Sequence, residues 1–205
     1  LKAICSLHNH STVSDGELSP DELLLYLKDS GYNVIAITDH MKIAMPWKIP
    51  DDILFIHGIE WRSSLGYEVV ALNPSVEPEL GKFDYSQTPV KWIAHPQLGF
   101  RDYYGQSWNR TIDCNSLLST ILTYRLDGYE LYNSGIEQLT PLEVSRITEL
   151  SEVHVNRYAV DDFHVKGQEF TSWIEMDVNE LDLDEVLDNL KLGNYVIKVD
   201  ETVLL

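Results

Sequence analysis

His8-Asn9-His10-Ser11-Thr12-Val13-Ser14-Asp15-Gly16 is the stretch on which the reading of this chain turns. It follows a short apolar run, Ala3-Ile4-Cys5-Ser6-Leu7, that reads as a strand. Side chains at i and i+2 of a strand point to one face. His8 and His10 are therefore expected side by side at the strand's end, as a two-imidazole clamp for a transition metal. Asp15, beside Gly16, sits on a loop able to fold back over that end. Taken alone, the pair reads equally well as a surface strand that ends in two histidines. The rest of the chain has to decide.

Short apolar strands alternate with amphipathic helices along the chain, the pattern of an α/β fold with parallel strands. Strands are predicted at 3–7, 34–38, 53–59, 67–72, 92–94, 128–132, 157–161, 171–176 and 195–199. A capping box, Ser19-Pro20-Asp21-Glu22, opens a helix that Gly31 ends. Helices are also predicted at 115–124, at 140–150 behind a second capping box (Thr140-Pro141-Leu142-Glu143), and at 183–192, stopped by Gly193. Against this frame, His8, His10, His40, Glu60, His95 and the pair Asp162/His164 fall at the carboxyl ends of different strands. That edge is where parallel α/β folds build their sites.

The 205 residues fit one domain, 1–205, with 44% hydrophobic and 23% charged residues. No window is apolar for long enough to span a membrane, and none of the residues ahead of the first strand reads as a signal peptide. Cys5 and Cys114 form no CxxC pair and read as free thiols in a reducing, cytoplasmic setting. The formal net charge of -18 disfavours tight binding of long DNA or RNA. It leaves room for a small anionic substrate, because a bound cation outweighs the global field locally.

Of the seven histidines, His8, His10, His40, His95 and His164 are expected as metal ligands, together with Asp15, Glu60 and Asp162. His57 and His154 are expected to be packing or surface residues. The ligand set is too large for one tetrahedral ion. It suits two or three divalent ions that share a carboxylate, and Glu60, alone at its strand end, is the best bridge. The charge of three such ions exceeds that of the three carboxylates plus one hydroxide, which leaves a net attraction for phosphate. A metal pair about 3.5–4 Å apart activates hydroxide and stabilises displacement at phosphorus.

These residues resemble the PHP (polymerase and histidinol phosphatase) family of metal-dependent phosphoesterases. The matching segments are His8-Asn9-His10-Ser11 with Ser14-Asp15-Gly16, Ile37-Thr38-Asp39-His40, Gly58-Ile59-Glu60, Ala94-His95-Pro96 and Asp162-Phe163-His164, in the family's order. The late Leu190-Lys191-Leu192-Gly193-Asn194-Tyr195 looks like the family's closing helix and strand. The resemblance implies a distorted (β/α)7 TIM-like barrel with a trinuclear site of Zn, Mn or Fe at the carboxyl ends of the strands. It assigns His8, His10, Glu60 and Asp162 to the first metal, Glu60 and His95 to the second, and Asp15, His40 and His164 to the third. Two features depart from the pattern. Glu68 stands where a further histidine ligand is usual, and as a carboxylate ligand it favours harder ions such as Mn. The lead-in to Asp162 is Val160-Asp161, where the family has Gly-Ser.

The expected activity is hydrolysis of a small phosphate ester (a sugar, amino-alcohol or nucleotide phosphate) by a metal-bridging hydroxide. Glu60, Asp15, His40 and His164 carry the chemistry, and Arg101, Ser11 and Asn133 contact the substrate. Arg62 and Lys42 are weaker candidates for a phosphate contact, and Tyr103 and Tyr104 for a nucleoside pocket. The competing readings are metal-dependent hydrolysis of a carbon–nitrogen bond and a metal-binding domain without turnover. Oligomeric state leaves no mark in the sequence.

Overall fold

The structure, a computed structural model, describes residues 1–62, 67–75, 88–96, 100–101, 107–108, 114–135, 145 and 148–200. Its elements are β1 (Lys2–Ser6), α1 (Pro20–Asp29), β2 (Val34–Ile37), β3 (Leu54–Arg62), β4 (Glu68–Leu72), β5 (Val90–Ile93), β6 (Phe100–Arg101), β7 (Ser107–Trp108), α2 (Cys114–Tyr124), β8 (Gly128–Asn133), β9 (Asn156–Val160), β10 (Ser172–Asp177), α3 (Leu183–Leu192) and β11 (Val196–Val199). The capping box at 140–143 lies outside the described residues.

Nine strands form one sheet in the order β11-β10-β1-β2-β3-β4-β5-β8-β9, and β6 pairs with β7 apart from it. The sheet curls until its ends meet. β9 packs against β10 and β11, and the Ser172 hydroxyl at the head of β10 donates to Val160 O at the end of β9 (3.3 Å). The result is a mixed α/β, nearly closed barrel. It differs from the expected (β/α)7 barrel in strand number and in direction. β1, β2 and β3 are parallel, as are β5, β8 and β9. β4 runs against both neighbours, and β10 runs against β1 and β11. For β4 the cause is the length of its connection. Residues 63–67 link β3 to β4, and a parallel return needs a crossover of about a dozen residues or more.

Strand β2 shows why the apolar runs are unbroken. Val34 and Ala36 face the barrel interior, while Ile35 and Ile37 face α1. A strand covered on both sides loses the alternation of a half-exposed one. Helix α1 starts where predicted: Ser19 accepts from Glu22 N, the Glu22 side chain reciprocates, and Pro20 takes the first turn. Its Leu23, Leu24 and Leu27 are buried against β2, each worth about 1.5–3 kcal/mol on burial. Helix α2 covers Tyr129 and Leu131 of β8 in the same way. Helix α3 is capped by Asp182 and by Gly193, whose φ of 75° is a left-handed conformation suited to glycine. Its Val186, Leu187 and Leu190 join the interior cluster. Among the described residues no helix is long and apolar enough to cross a membrane. Cys5 and Cys114 are both free thiols.

Candidate metal centre

The carboxyl ends of β1, β2, β5 and β9 and the facing part of β3 converge at one mouth of the barrel. Asn9 fixes the end of β1. Its backbone N donates to Thr38 Oγ1 (3.1 Å) and its Nδ2 to Ala36 O (2.8 Å). His10 N donates to Phe163 O (2.8 Å), which joins β1 to the end of β9. The loop after His10 folds back around Asp39, which accepts from Ser11 N and Ser14 N (both 2.9 Å) and from Ser11 Oγ (2.6 Å). Gly16 N donates to Ser11 O (2.9 Å). A Cβ at Gly16 would lie 2.0 Å from His10 O, so this close approach requires glycine. The loop thereby carries Asp15 to 3.3 Å from His10 Nδ1, 3.4 Å from His40 Nε2 and 3.6 Å from His164 Nε2.

Three groups of potential ligand atoms result: His8, His10 and Asp162; His10, Asp15, His40 and His164; and His40, Glu60 and Glu68. Around the first group, His8 Nε2 and His10 Nε2 are 3.1 Å apart. Glu60 Oε2 lies 3.4 Å from the first and 3.3 Å from the second. Asp162 Oδ1 lies 3.4 and 3.2 Å from the same two nitrogens. Ligand atoms held about 2.0–2.1 Å from a tetrahedral ion are about 3.3–3.4 Å apart. The spacing thus fits an ion, and Asp162 Oδ1 is buried with no hydrogen-bond partner among the described residues.

Glu60 turns its two oxygens to different neighbours. Oε2 faces His8 and His10 and lies 3.0 Å from His40 Nδ1, while Oε1 lies 3.0 Å from His95 Nε2. Glu68 Oε2 approaches His95 Nε2 at 3.5 Å, and Arg62 Nε donates to Glu68 Oε1 (2.9 Å). The expected third strand stops at residue 59. β3 instead continues through Glu60 to Arg62, because β4 pairs with that extension: Glu60 opposes Val70, and Arg62 opposes Glu68. Glu68 reaches the mouth from the start of β4, since that strand runs the other way.

Glu130 of β8 was not foreseen. Its Oε1 lies 2.8 Å from His8 Nδ1 and accepts from Trp92 Nε1 (2.9 Å). Its Oε2 accepts from His95 N (2.7 Å) and Asn133 Nδ2 (3.2 Å). A carboxylate on one imidazole nitrogen fixes the tautomer that offers the other to a metal. The signal was present: Tyr129-Glu130-Leu131 places an acid in a run otherwise fit for a core strand. Asp161 was missed as well. It is buried beneath Asp162 and accepts from Ser6 Oγ and from Tyr32 OH (2.9 Å). Burial pushes its carboxyl up to about 7. His95 and Asp162 have positive φ, 25° and 48°, conformations that non-glycine residues adopt at some energetic cost.

Electrostatics favour cations throughout. Burial alone would lower the pKa of His8 and His10. Neighbouring carboxylates, Asp162, Glu130 and Glu60 around His8 and Asp15, Asp162 and Glu60 around His10, raise both well above the usual value. Against the same effect of burial, Glu60 and Asp162 push His95 up to about 9. Hydrogen bonds from His10 and His40 hold Asp15 well below the carboxylate range. Burial and then the charge of His10 lower His164, which favours its neutral, ligating form.

Other expected residues are distributed as follows. Asn133 Nδ2 donates to Asp162 Oδ2 (3.1 Å) as well as to Glu130, so it braces these carboxylates. Ser11 is buried with its hydroxyl committed to Asp39, where the sequence reading had it facing substrate. Arg101 belongs to β6, but its side chain lies outside the described residues, as do Tyr103 and Tyr104. His57 lies 3.1 Å from Pro74 O through Nε2, away from the mouth, and His154 and Lys42 are exposed.

No protein-family model matches the sequence, and no curated protein does. Solved structures do. A two-domain protein from Bacteroides vulgatus, containing a predicted PHP-like metal-dependent phosphoesterase, superposes with a TM-score of 0.68 at 17% identity, over 98% of this chain and 66% of that one. The chain has the PHP-like fold. That fold extends to a lesion-specific endonuclease from Pyrococcus furiosus (TM-score 0.62, 13% identity, 96% of this chain and 58% of that one). It extends also to an amidohydrolase from Chromobacterium violaceum (TM-score 0.54, 13% identity, 98% of this chain and 100% of that one). The chain therefore spans less than two thirds of the first of these proteins and of the endonuclease.

Proposed function

We propose that this chain is a metal-dependent phosphoesterase that hydrolyses a small phosphate ester. The observation that carries this reading is that His8 Nε2 and His10 Nε2 lie 3.1 Å apart and that Glu60 Oε2 and Asp162 Oδ1 each lie 3.2 to 3.4 Å from both. We assign these residues to a first divalent ion. Glu60, with His95 and Glu68, would hold a second, and Asp15, His40 and His164 would hold a third. Zn, Mn and Fe all suit imidazole and carboxylate ligands, and the acid-rich second position favours harder ions such as Mn. When bound, such ions supply positive charge toward phosphoryl oxygens and acidify water.

The protein's own groups point to solvent as nucleophile. Cys5 is buried and its thiol pushed up by burial, so it offers no thiolate. Ser11 donates its hydroxyl hydrogen bond to Asp39. Glu130 holds the His8 ring in the orientation that turns Nε2 to the site, and Asn133 braces Asp162. Residues 1–205 act in this proposal as one catalytic domain on a small substrate in a reducing, cytoplasmic setting. The charge of -18 argues against long nucleic acid as substrate. The test is metal analysis of the purified protein, followed by paired screens of phosphate esters and cyclic amides in Mn, Zn and Fe. Release of inorganic phosphate is the expected result. Turnover of amides alone would move the assignment to carbon–nitrogen hydrolysis, and bound metal without turnover to a binding domain.

A further inference from the structure

Resting on the phosphoesterase reading, we infer that Arg62 is the residue that grips the substrate's phosphoryl group, at the mouth of the barrel above Glu60. Glu60 and Arg62 are i and i+2 on β3, so they share a face of the strand. Arg62 is one strand step farther out, a rise of about 7 Å. That face is the barrel interior, because Val70, which opposes Glu60, belongs to the interior cluster.

Glu68 opposes Arg62 directly across the β3–β4 ladder. The pair grades from inside to outside: the Glu68 side chain is 2% exposed and the Arg62 side chain 29%. The bond from Arg62 Nε to Glu68 Oε1 anchors the near end of the guanidinium. Its terminal nitrogens, Nη1 and Nη2, make no hydrogen bond among the described residues. A planar fork held at Nε presents two parallel N–H groups, the geometry that takes two oxygens of one phosphate.

Charge completes the case. Among the described residues, Arg62 is the lysine or arginine whose side chain pairs with a carboxylate of the three ligand groups. On a chain of charge -18 a substrate dianion needs fixed positive charge at the entrance. A phosphate monoester, with three non-bridging oxygens, can give two to the fork and still face the site with the third. The preferred class is therefore the phosphate monoester.

The experiment measures inorganic phosphate binding by calorimetry on the metal-loaded protein, with metal content and melting temperature determined for the same samples. Arg62→Gln should weaken phosphate binding by about 10- to 100-fold while keeping the metal content of the parent. Arg62→Lys, which restores charge without the fork, should recover part of the loss. Substrate KM should rise in Arg62→Gln more than kcat falls. Equal phosphate affinity in the parent and Arg62→Gln would overturn the inference and leave the phosphoesterase reading intact. So would a loss of metal in Arg62→Gln with unchanged phosphate affinity per loaded site, since Arg62 would then only support Glu68. A loaded parent protein that binds no phosphate would overturn both.

Discussion

His8 and Glu130 are joined inside the barrel: Nδ1 of the imidazole lies 2.8 Å from Oε1 of the carboxylate, and both residues are fully buried. The other imidazole nitrogen faces His10, Glu60 and Asp162. A single carboxylate on β8 therefore sets the orientation of the His8 imidazole at the end of β1. Through His95 N it also fixes the turn that follows β5.

Glu130→Gln should weaken metal binding by about 10- to 100-fold, the usual scale for losing the partner of a ligating histidine. Whichever way it turns, the amide would present N–H toward a group that is itself a donor, Trp92 Nε1 or His95 N. A stability loss of about 1–3 kcal/mol should accompany it. Competition with a chelator and thermal unfolding read the two effects separately.

Glu68→Ala should lower occupancy of the position shared by Glu60 and His95, and Glu68→His should keep or raise Zn-supported turnover. Metal stoichiometry by mass spectrometry decides. Unchanged stoichiometry and rate in Glu68→Ala would make Glu68 a bystander.

Metal binding should release protons, and affinity should rise with pH. Burial lowers His95, but Glu60 and Asp162 outweigh it and raise the group from 6.5 to about 9 in the metal-free protein. The imidazole is then charged at pH 7 and must lose its proton to ligate. Because the folded pKa lies above the free value, this pairing stabilises the metal-free fold fully below pH 6.5 and fades as pH rises through about 9. Calorimetric titrations in buffers of different ionisation enthalpy count the protons. A heat independent of buffer would contradict the assignment.

Glu60→Gln should abolish turnover, since Oε2 faces His8, His10 and His40 and Oε1 faces His95. Ser11→Ala should keep measurable activity while destabilising the loop by about 1 kcal/mol through loss of its bond to Asp39. Hydrolysis in labelled water should place one solvent oxygen on phosphorus. A trapped phosphoserine or phosphohistidine would refute attack by solvent even with every ligand correct.

Gly16→Ala should cost about 1–3 kcal/mol, because the new Cβ would meet the His10 carbonyl at 2.0 Å and the loop must move. The shift takes Asp15 away from His10, His40 and His164. Loss of the metal held by those residues, together with a lower melting temperature, is the expected pair of readouts.

Local sequence determined much of this protein. The i, i+2 histidines, the capping box at Ser19, the stop at Gly193 and the apolar run of β2 are short-range features. Their spacing fixes side-chain direction or backbone conformation without reference to distant residues. That His8, His10, His40, Glu60, His95, Asp162 and His164 gather at one barrel edge was legible because each closes an apolar run or, for Glu60, stands late in one. Only the tertiary structure decided strand direction and pairing, which depend on how the whole sheet closes. Pairing with β4 carried β3 past Glu60, and the reversed course of β4 delivered Glu68 from a strand's beginning. Ser11 and Asn133 turned to Asp39, Asp162 and Glu130 because buried polar groups must find partners, and those partners come from strands far apart in sequence. Glu130 was hidden for the same reason: within its own strand it is one acid among apolar neighbours, and its meaning comes from a histidine that only the closing of the sheet brings to it.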